Sequence, residues 1–590
     1  MDAISLQASN PKGYFDSPFE QQVHEAHPMG NRPEVQDVLA IEIDSTGTIF
    51  AKTRAGIFSR SGKDDDWCLE EKEMDFRIHE KRERAARFVP EEGFPLSDIT
   101  CVVRAEDKIW VGTSRGVAVY DDVSWSVRRG RRWLLHDEVR DIAVDARGVA
   151  WIATAAGISA IGEIEMTLDR KASLFQGVLE RRHIREPALV GRCSLREPGD
   201  LSSWEPTDDD NDGQYTAMYL MMESCRYAAT GNREAKDRAR KAFDALVFLQ
   251  TVTQTPGFVA RTVIPSSWTR MHDANRTYTE EEWSRIQAKD PRNKRVETRW
   301  HLSSDGTWFW KCDTSSDEIT GHFCGYLFYY LLVEDASEKE RIRNHVCKIM
   351  DHIVDHGFRM VDVDGEPTRW GVWAPESLNE DPRWKPERYH NSLEILSFLK
   401  VTYFMTGDEK YQREYEKLLR EHGYLDNIRN RLPHSPLTYS NIDNELAALT
   451  FPGLIWCETD PELLQVYREC LDHWFEGVRS EGSPYFNFTY GMLAGQDPCI
   501  EASSSYLRTS PLDLIDWRMD NTGRKDLEYK RFPSPESLQT HPLPPASERA
   551  VTRWDKNPWV AIQGGDGVSE WCPNYWLLPY WMGRWQGFIQ

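Results

Sequence analysis

Apolar residues alternate with polar ones over roughly the first quarter of the chain and follow a helical spacing over the rest. Within that first quarter a single pattern occurs three times. Asp37–Ile41 leads to Asp44–Ile57, Asp98–Val102 leads to Lys108–Tyr120, and Val139–Val144 leads to Asp145–Ile158. Each copy reads as two alternating strands joined by a turn, followed by a Thr-x-x-Gly turn into a third strand. Those turns are Thr53–Gly56, Thr113–Gly116 and Thr154–Gly157. Residues 1–34 are polar, carry Pro and Gly, show no period, and read as an arm.

From about residue 165 the pattern predicts paired helices: Tyr215–Gly231 with Arg233–Val252, Gly321–Glu334 with Ser337–His356, Asn391–Gly407 with Glu409–Gly423, and Asp443–Thr459 with Pro461–Ser480. The first member of each pair is apolar all round and the second is amphipathic, as expected when one is buried and the other half solvated. Phe486–Ala494 with Ser504–Asp516, and Asn574–Gly587 with a helix near 166–182, extend the series to five or six pairs. Alternating inner and outer helices predict an α/α toroid. The fold class is therefore multidomain α+β: arm 1–34, β module 35–164 and an (α/α)5–6 toroid over 165–590.

The three β copies resemble the two-component-regulator type of propeller repeat, whose blades read roughly Asp-x-x-Gly-x-Ile-Trp-x-Gly-Thr-x-x-Gly-Val. Three copies are fewer than the four to eight blades of a closed propeller, and a charged insertion at about 60–93 separates the first two. The resemblance implies an incomplete propeller-like module. The helical region, with its Asp313–His322 stretch, resembles proteins that join such repeats to a toroid of the glycosidase and polysaccharide lyase kind. That resemblance implies an architecture and assigns no catalytic residue.

Charge and composition narrow the chemistry. A formal charge of −23 over 590 residues argues against a nucleic-acid partner. No apolar run reaches the roughly 18 residues of a membrane span. The first residues lack a basic stretch followed by an apolar one, and the eleven cysteines follow no paired spacing, so a reduced, cytoplasmic protein is expected. Tryptophan is abundant, and Trp308, Trp310, Trp370, Trp373, Trp384, Trp571, Trp576 and Trp581 fall near polar loops. Aromatic rings there suit the apolar faces of sugars, although core filling accounts for many tryptophans.

The long links at about 257–320, 359–390, 424–442 and 524–573 all precede inner helices, which places them on one rim of the ring. Polar clusters mark the same helix starts: Asp210–Tyr215, Lys311–His322, Arg388–Glu394 and Asn441–Glu445. Helix capping explains any one of them; four in register point to a polyol site. A glycoside hydrolase needs two carboxyl groups, and Asp317 is the preferred acid with Asp212 or Asp443 as partner and Glu318 as an adjacent candidate. Asp313, Arg261, Trp310, Arg388, His390, Asn391, Glu394, Glu445 and Trp576 are candidate substrate-binding residues.

Two other readings stay open. A lyase acting at a uronate needs a basic residue and a group that neutralises the carboxylate; His322, His390, Tyr389, Asn391, Arg261 and Arg388 offer these. A non-catalytic scaffold or carbohydrate-binding protein is the third. No cofactor and no metal motif is expected. Asp208–Gly213 begins like a calcium loop, but Tyr219 stands where the bidentate Glu belongs, which leaves only a looser structural Ca²⁺ as an alternative. The expected partner is an oligosaccharide, without nucleic acid or membrane.

Overall fold

In the computed structural model the described residues are all except 1–12, 31, 63–65, 72, 106, 334, 431–440, 534–535 and 551–552. The beginning of the predicted arm and most of the link 424–442 thus lie outside the described residues. The architecture is mixed α and β, with several small sheets and many helices.

The alternating segments form three four-stranded antiparallel sheets. The first holds β2 (Val38–Ile43), β3 (Ile49–Thr53), β4 (Ile57–Arg60) and β5 (Cys68–Glu70). The second holds β6 (Ile99–Ala105), β7 (Lys108–Thr113), β8 (Gly116–Tyr120) and β9 (Trp125–Arg128). In the third, β10 (Val139–Val144), β11 (Ala150–Thr154) and β12 (Gly157–Met166) are completed by β1 (Phe19–His27), which pairs antiparallel along the length of β12. The segment read as an arm therefore supplies a strand. Its partner lies more than a hundred residues further along the chain, so nothing in the local pattern announces it.

The repeated Thr and Gly have a local reason. In each copy the threonine hydroxyl donates to the glycine carbonyl, at 3.1 Å for Thr53 and 2.8 Å for Thr113 and Thr154. The glycine adopts a positive φ, +143°, +122° and +126° in turn, which a side chain would resist. The first strand of the third copy, β10, lies against both β2 and β6. There the buried Asp141 accepts from the Ile41 amide at 3.0 Å and from Lys81 at 2.7 Å. Lys81 comes from the charged insertion, which folds as a helix at Ile78–Arg87.

Besides two helices in the links, Glu280–Lys289 and Tyr424–Arg429, the second region holds α1 (Leu168–Val178), α2 (Asp212–Thr230), α3 (Arg233–Thr251), α4 (Ser316–Leu332), α5 (Ala336–Asp355), α6 (Arg388–Thr406), α7 (Glu409–Arg420), α8 (Asn441–Trp456), α9 (Pro461–Val478), α10 (Pro484–Ala494), α11 (Ile500–Thr509) and α12 (Asn574–Gln586). Contacts among the apolar members run in a cycle: α2 on α4, α4 on α6, α6 on α8, α8 on α10, α10 on α12, and α12 back on α2. The partners α3, α5, α7, α9, α11 and α1 pack outside them. Glycine sets the close approach of α2 to α4. A Cβ on Gly325 would come within 2.6 Å of the Ala217 carbonyl oxygen, and one on Gly321 within 3.1 Å of Gln214 Cα. These two positions, one turn apart on α4, let α2 lie against it and bring the two helix starts together.

A fourth sheet joins the two regions, in the order β14 (Trp204–Pro206), β13 (Cys193–Leu195), β16 (Ile562–Glu570) and β15 (Ile515–Asp520). The link before α12 thus belongs as much to the β module as to the helices. Arg132, fully buried, donates to the Arg549, Ala550 and Ile515 carbonyls, and Trp133 donates to that of Ser547.

Candidate active site

The starts of α2, α4, α6 and α8 converge, together with a strap at Arg553–Asp555. Asp317, in the first turn of α4, is half-buried and accepts from the side-chain amide of Asn211 at 2.7 Å. Asn211 is held in turn by Arg261, whose guanidinium donates to Asn211 Oδ1 at 2.9 Å, to the Asp210 carbonyl at 2.7 Å and to the Asp313 carbonyl at 2.9 Å. Arg261 is thus a buried tie between two loops, with its donors directed at protein oxygens.

Asp443, near the start of α8, is half-buried. Burial, then the charges of Glu387 and Asp317, push its carboxyl up to about 7. The Asp317 charge also acts on Glu394 and Glu445. Glu394 is raised to about 8 and Glu445 well above the usual range, in both cases chiefly by burial. Four carboxyl groups from three helices therefore share one electrostatic neighbourhood.

Within it the carboxyl groups divide by what holds them. Glu394 Oε2 accepts the Trp373 indole N–H at 2.8 Å, and Glu445 Oε1 accepts that of Trp554 at 3.0 Å. Both glutamates are 1 % exposed. Glu318 is buried behind Asp317 and accepts the Gln214 backbone N–H at 2.9 Å, so it caps α2 from the neighbouring helix. Of these five carboxyl groups Asp317 and Asp443 are left partly open to solvent, and Glu387, also partly open, is ion-paired with Arg292 at 2.8 Å.

Several expected site residues have other duties. Asp212 is fully buried and is bound by Arg185, by the Thr262 hydroxyl at 2.7 Å and by the Asp209 amide at 3.1 Å. Burial raises its carboxyl to about 6, and Arg185 opposes the rise. As an ion-paired wall residue it lacks the access a catalytic partner needs. His322 is likewise sealed off: its Nδ1 lies 2.7 Å from the Tyr326 hydroxyl, which lies 2.8 Å from His345 Nε2, and burial lowers both imidazoles to about 3. Asp313 turns the chain at φ +59°, and its Oδ1 accepts the Arg369 amide at 2.9 Å.

Arg388 donates to the Leu378 carbonyl at 2.6 Å and Asn391 to the Val372 carbonyl at 2.9 Å, so each anchors the preceding link. His390 is 5 % exposed and packs edge-on against Tyr389. Trp310 is a buried strand residue stacked on His301, and Trp576 is buried against Tyr580 and Phe175 with its indole bonded to the Leu507 carbonyl. Neither tryptophan is a sugar platform; burial of apolar rings won over exposure. In the acidic loop at 208–213, Asp209 pairs with Arg192, Asp210 with Lys311 and Asp212 with Arg185, while Asp208 accepts the His272 amide at 3.0 Å.

Most of the residues that the sequence pattern does not single out come from the last link. Arg553 pairs with Asp555 and donates to the Tyr215 hydroxyl at 3.1 Å, while Trp554 packs between Tyr485 and Tyr575. Glu387 is another, although it directly precedes the expected Arg388 cluster.

No family model matches the chain and no curated protein matches it significantly. Among solved structures it is similar to a sugar epimerase from a ruminal bacterium, at 12 % identity and a TM-score of 0.31, over 56 % of this chain and 84 % of that one. It is also similar to a family 76 glycoside hydrolase from a bovine Bacteroides thetaiotaomicron strain, at 10 % identity and a TM-score of 0.25, over 83 % of this chain and 99 % of that one. Likenesses this distant leave the chemistry to be argued from the site.

No helix among the described residues is long and apolar enough to cross a membrane.

Proposed function

We propose that the helical ring is an (α/α)6 toroid and that the protein is a carbohydrate-active hydrolase working through Asp317 and Asp443. The observation that carries this reading is the division among the converging carboxyl groups. Glu318, Glu394 and Glu445 are buried on fixed donors, whereas Asp317 and Asp443 stay partly accessible and the charge of the first raises the second. Glycosidic cleavage asks for such a pair, one group protonated to donate to the leaving oxygen and one ionised to activate water or attack. Asp443, raised to about 7, is the acid. Asp317, oriented by Asn211, is the base or nucleophile. The indole-bound Glu394 and Glu445, together with Tyr215, line the wall around them.

Elimination at a uronate finds less support. It would ask His322, His390 or Tyr389 for a base and Arg261, Arg388 or Asn391 for carboxylate neutralisation; His322, Arg261, Arg388 and Asn391 are hydrogen-bonded within the protein, and His390 and Tyr389 are buried against each other. The test is product analysis of the purified protein on neutral and uronate-containing oligosaccharides. Reducing ends released without a new ultraviolet-absorbing double bond support hydrolysis, and their loss in both Asp317→Asn and Asp443→Asn supports the pair. A matching double-bond signal, or full activity in both variants, sinks the assignment.

A further inference from the structure

Away from the ring centre, three side chains far apart in sequence meet at the fourth sheet. Cys193 on β13 and Glu570 at the end of β16 are direct partners across the sheet. His183 closes the turn Leu179–His183 that follows α1. His183 Nε2 lies 3.1 Å from Glu570 Oε2, Cys193 Sγ lies 3.6 Å from the same oxygen, and Sγ and Nε2 are 4.0 Å apart. All three side chains are buried, at 1 %, 0 % and 3 % exposure for His183, Cys193 and Glu570.

The triangle has the size of one face of a tetrahedral zinc site. With usual Zn–N, Zn–O and Zn–S bond lengths and tetrahedral angles, the ligand atoms stand about 3.3 Å apart for N and O and about 3.5 Å apart for either with S. Here those edges are 3.1, 3.6 and 4.0 Å, so a shift of a few tenths of an ångström completes the fit.

The surroundings point the same way. His183 Nδ1 is 2.9 Å from the Gly191 carbonyl oxygen, an acceptor, so this nitrogen carries the proton. In a neutral imidazole that leaves the Nε2 lone pair facing the carboxylate and the sulfur. Two acceptors so placed, out of water, call for a cation or a second proton between them. Arg182 fixes the carboxylate with bonds of 2.6 Å to Oε2 and 2.7 Å to Oε1. Its positive charge opposes a dication, and an anionic thiolate together with the Glu570 carboxylate offsets that opposition. Cys193 also borders a cleft of about 1040 Å³ walled in part by Ser194, Ser569, Trp268 and His272.

We propose that His183 Nε2, Cys193 Sγ and Glu570 Oε2 form a binding site for a zinc ion. Binding converts the Cys193 thiol to a thiolate and releases its proton to solvent; no oxidation or reduction is involved. The site ties the end of α1 to strands β13 and β16 of the fourth sheet, and it is separate from the carboxyl pair at the ring centre.

The test uses the full chain, stripped with a chelator and reloaded with Zn²⁺ or Co²⁺. The expected result is one equivalent of zinc by elemental analysis after desalting, a melting temperature raised by Zn²⁺ and unmoved by Mg²⁺, and a thiolate-to-cobalt charge-transfer band in the Co²⁺ form. Cys193→Ser, nearly the same size, loses the band and most of the zinc, and His183→Gln weakens binding by more than the roughly 10–100-fold that loss of an outer-shell partner costs. Should His183→Gln fail to fold, Cys193→Ser alone decides. Zinc at background with an unmoved melting temperature overturns the proposal, as does zinc retained in full by Cys193→Ser. A doubly protonated His183 in the nitrogen NMR spectrum of the zinc-treated chain also overturns it.

Discussion

Asn211 Nδ2 donates to Asp317 Oδ2 at 2.7 Å, linking the residue before one inner helix to the first turn of the next. This contact defines the direction of the half-buried carboxylate. Because Arg261 holds Asn211 through its other amide atom, the orientation of Asp317 is determined two residues back from the solvent.

Asn211→Ala is therefore expected to lower kcat by about 10- to 100-fold with KM little changed, since it loosens a reacting group without removing a substrate contact. Steady-state kinetics on the substrate found by product analysis checks this. A KM effect alone would place Asn211 in substrate binding instead.

Asp443 yields a pH prediction. With its carboxyl raised from 3.8 to about 7 in the folded chain, the acid form persists to near neutrality. Activity is expected to fall as pH rises through about 7, with the slope of one proton. The same shift acts on stability. The native state holds this proton more tightly than the unfolded chain, so the favourable contribution is complete below pH 3.8 and is lost as pH rises through about 7. Asp443→Asn should then unfold like the parent at about pH 4 and be more stable by roughly 1–3 kcal/mol at about pH 8, as read by urea denaturation.

Trp554→Phe removes the indole N–H from the buried Glu445. Leaving that carboxyl without its donor is expected to cost about 1–3 kcal/mol of stability. A second substitution, Glu445→Leu, should return part of the loss because no polar group then remains unpaired. Equal destabilisation of the double variant and the sum of the singles would deny the coupling.

Gly213 is expected to tolerate no side chain. A Cβ there would stand 2.3 Å from Glu318 Oε2 and 2.7 Å from His322 Nε2. Gly213→Ala should lower stability by about 1–3 kcal/mol and displace the α4 start that carries Asp317, reducing activity as well. Thermal unfolding beside a kinetic assay separates the two effects.

Arg261→Lys keeps the charge and loses the fork that reaches Asp210, Asn211 and Asp313 together. A fall of about 2 kcal/mol in stability with a parallel loss of activity is the expected outcome, read by urea denaturation and the same kinetic assay.

Sequence alone determined what depends on near neighbours. The alternation at 38–60, 99–120 and 139–158, the Thr and Gly of each turn, and the apolar and amphipathic helices all answer to local period and local backbone demand. The polar stretches that contain Asp317 and Asp443 are visible there too, because polar residues before an apolar helix show without coordinates. Only the tertiary structure decided which polar residues are open and which are spent on partners within the protein. Asp212 is taken up by Arg185, His322 by Tyr326, Arg388 by Leu378 and Asn391 by Val372. Strand β1 meets β12, Trp554 meets Glu445, and His183 and Cys193 meet Glu570, across separations that no pattern reports. Burial makes the difference: away from water a polar group must find a partner, and the fold, by closing the ring and laying the last link across it, selects which one.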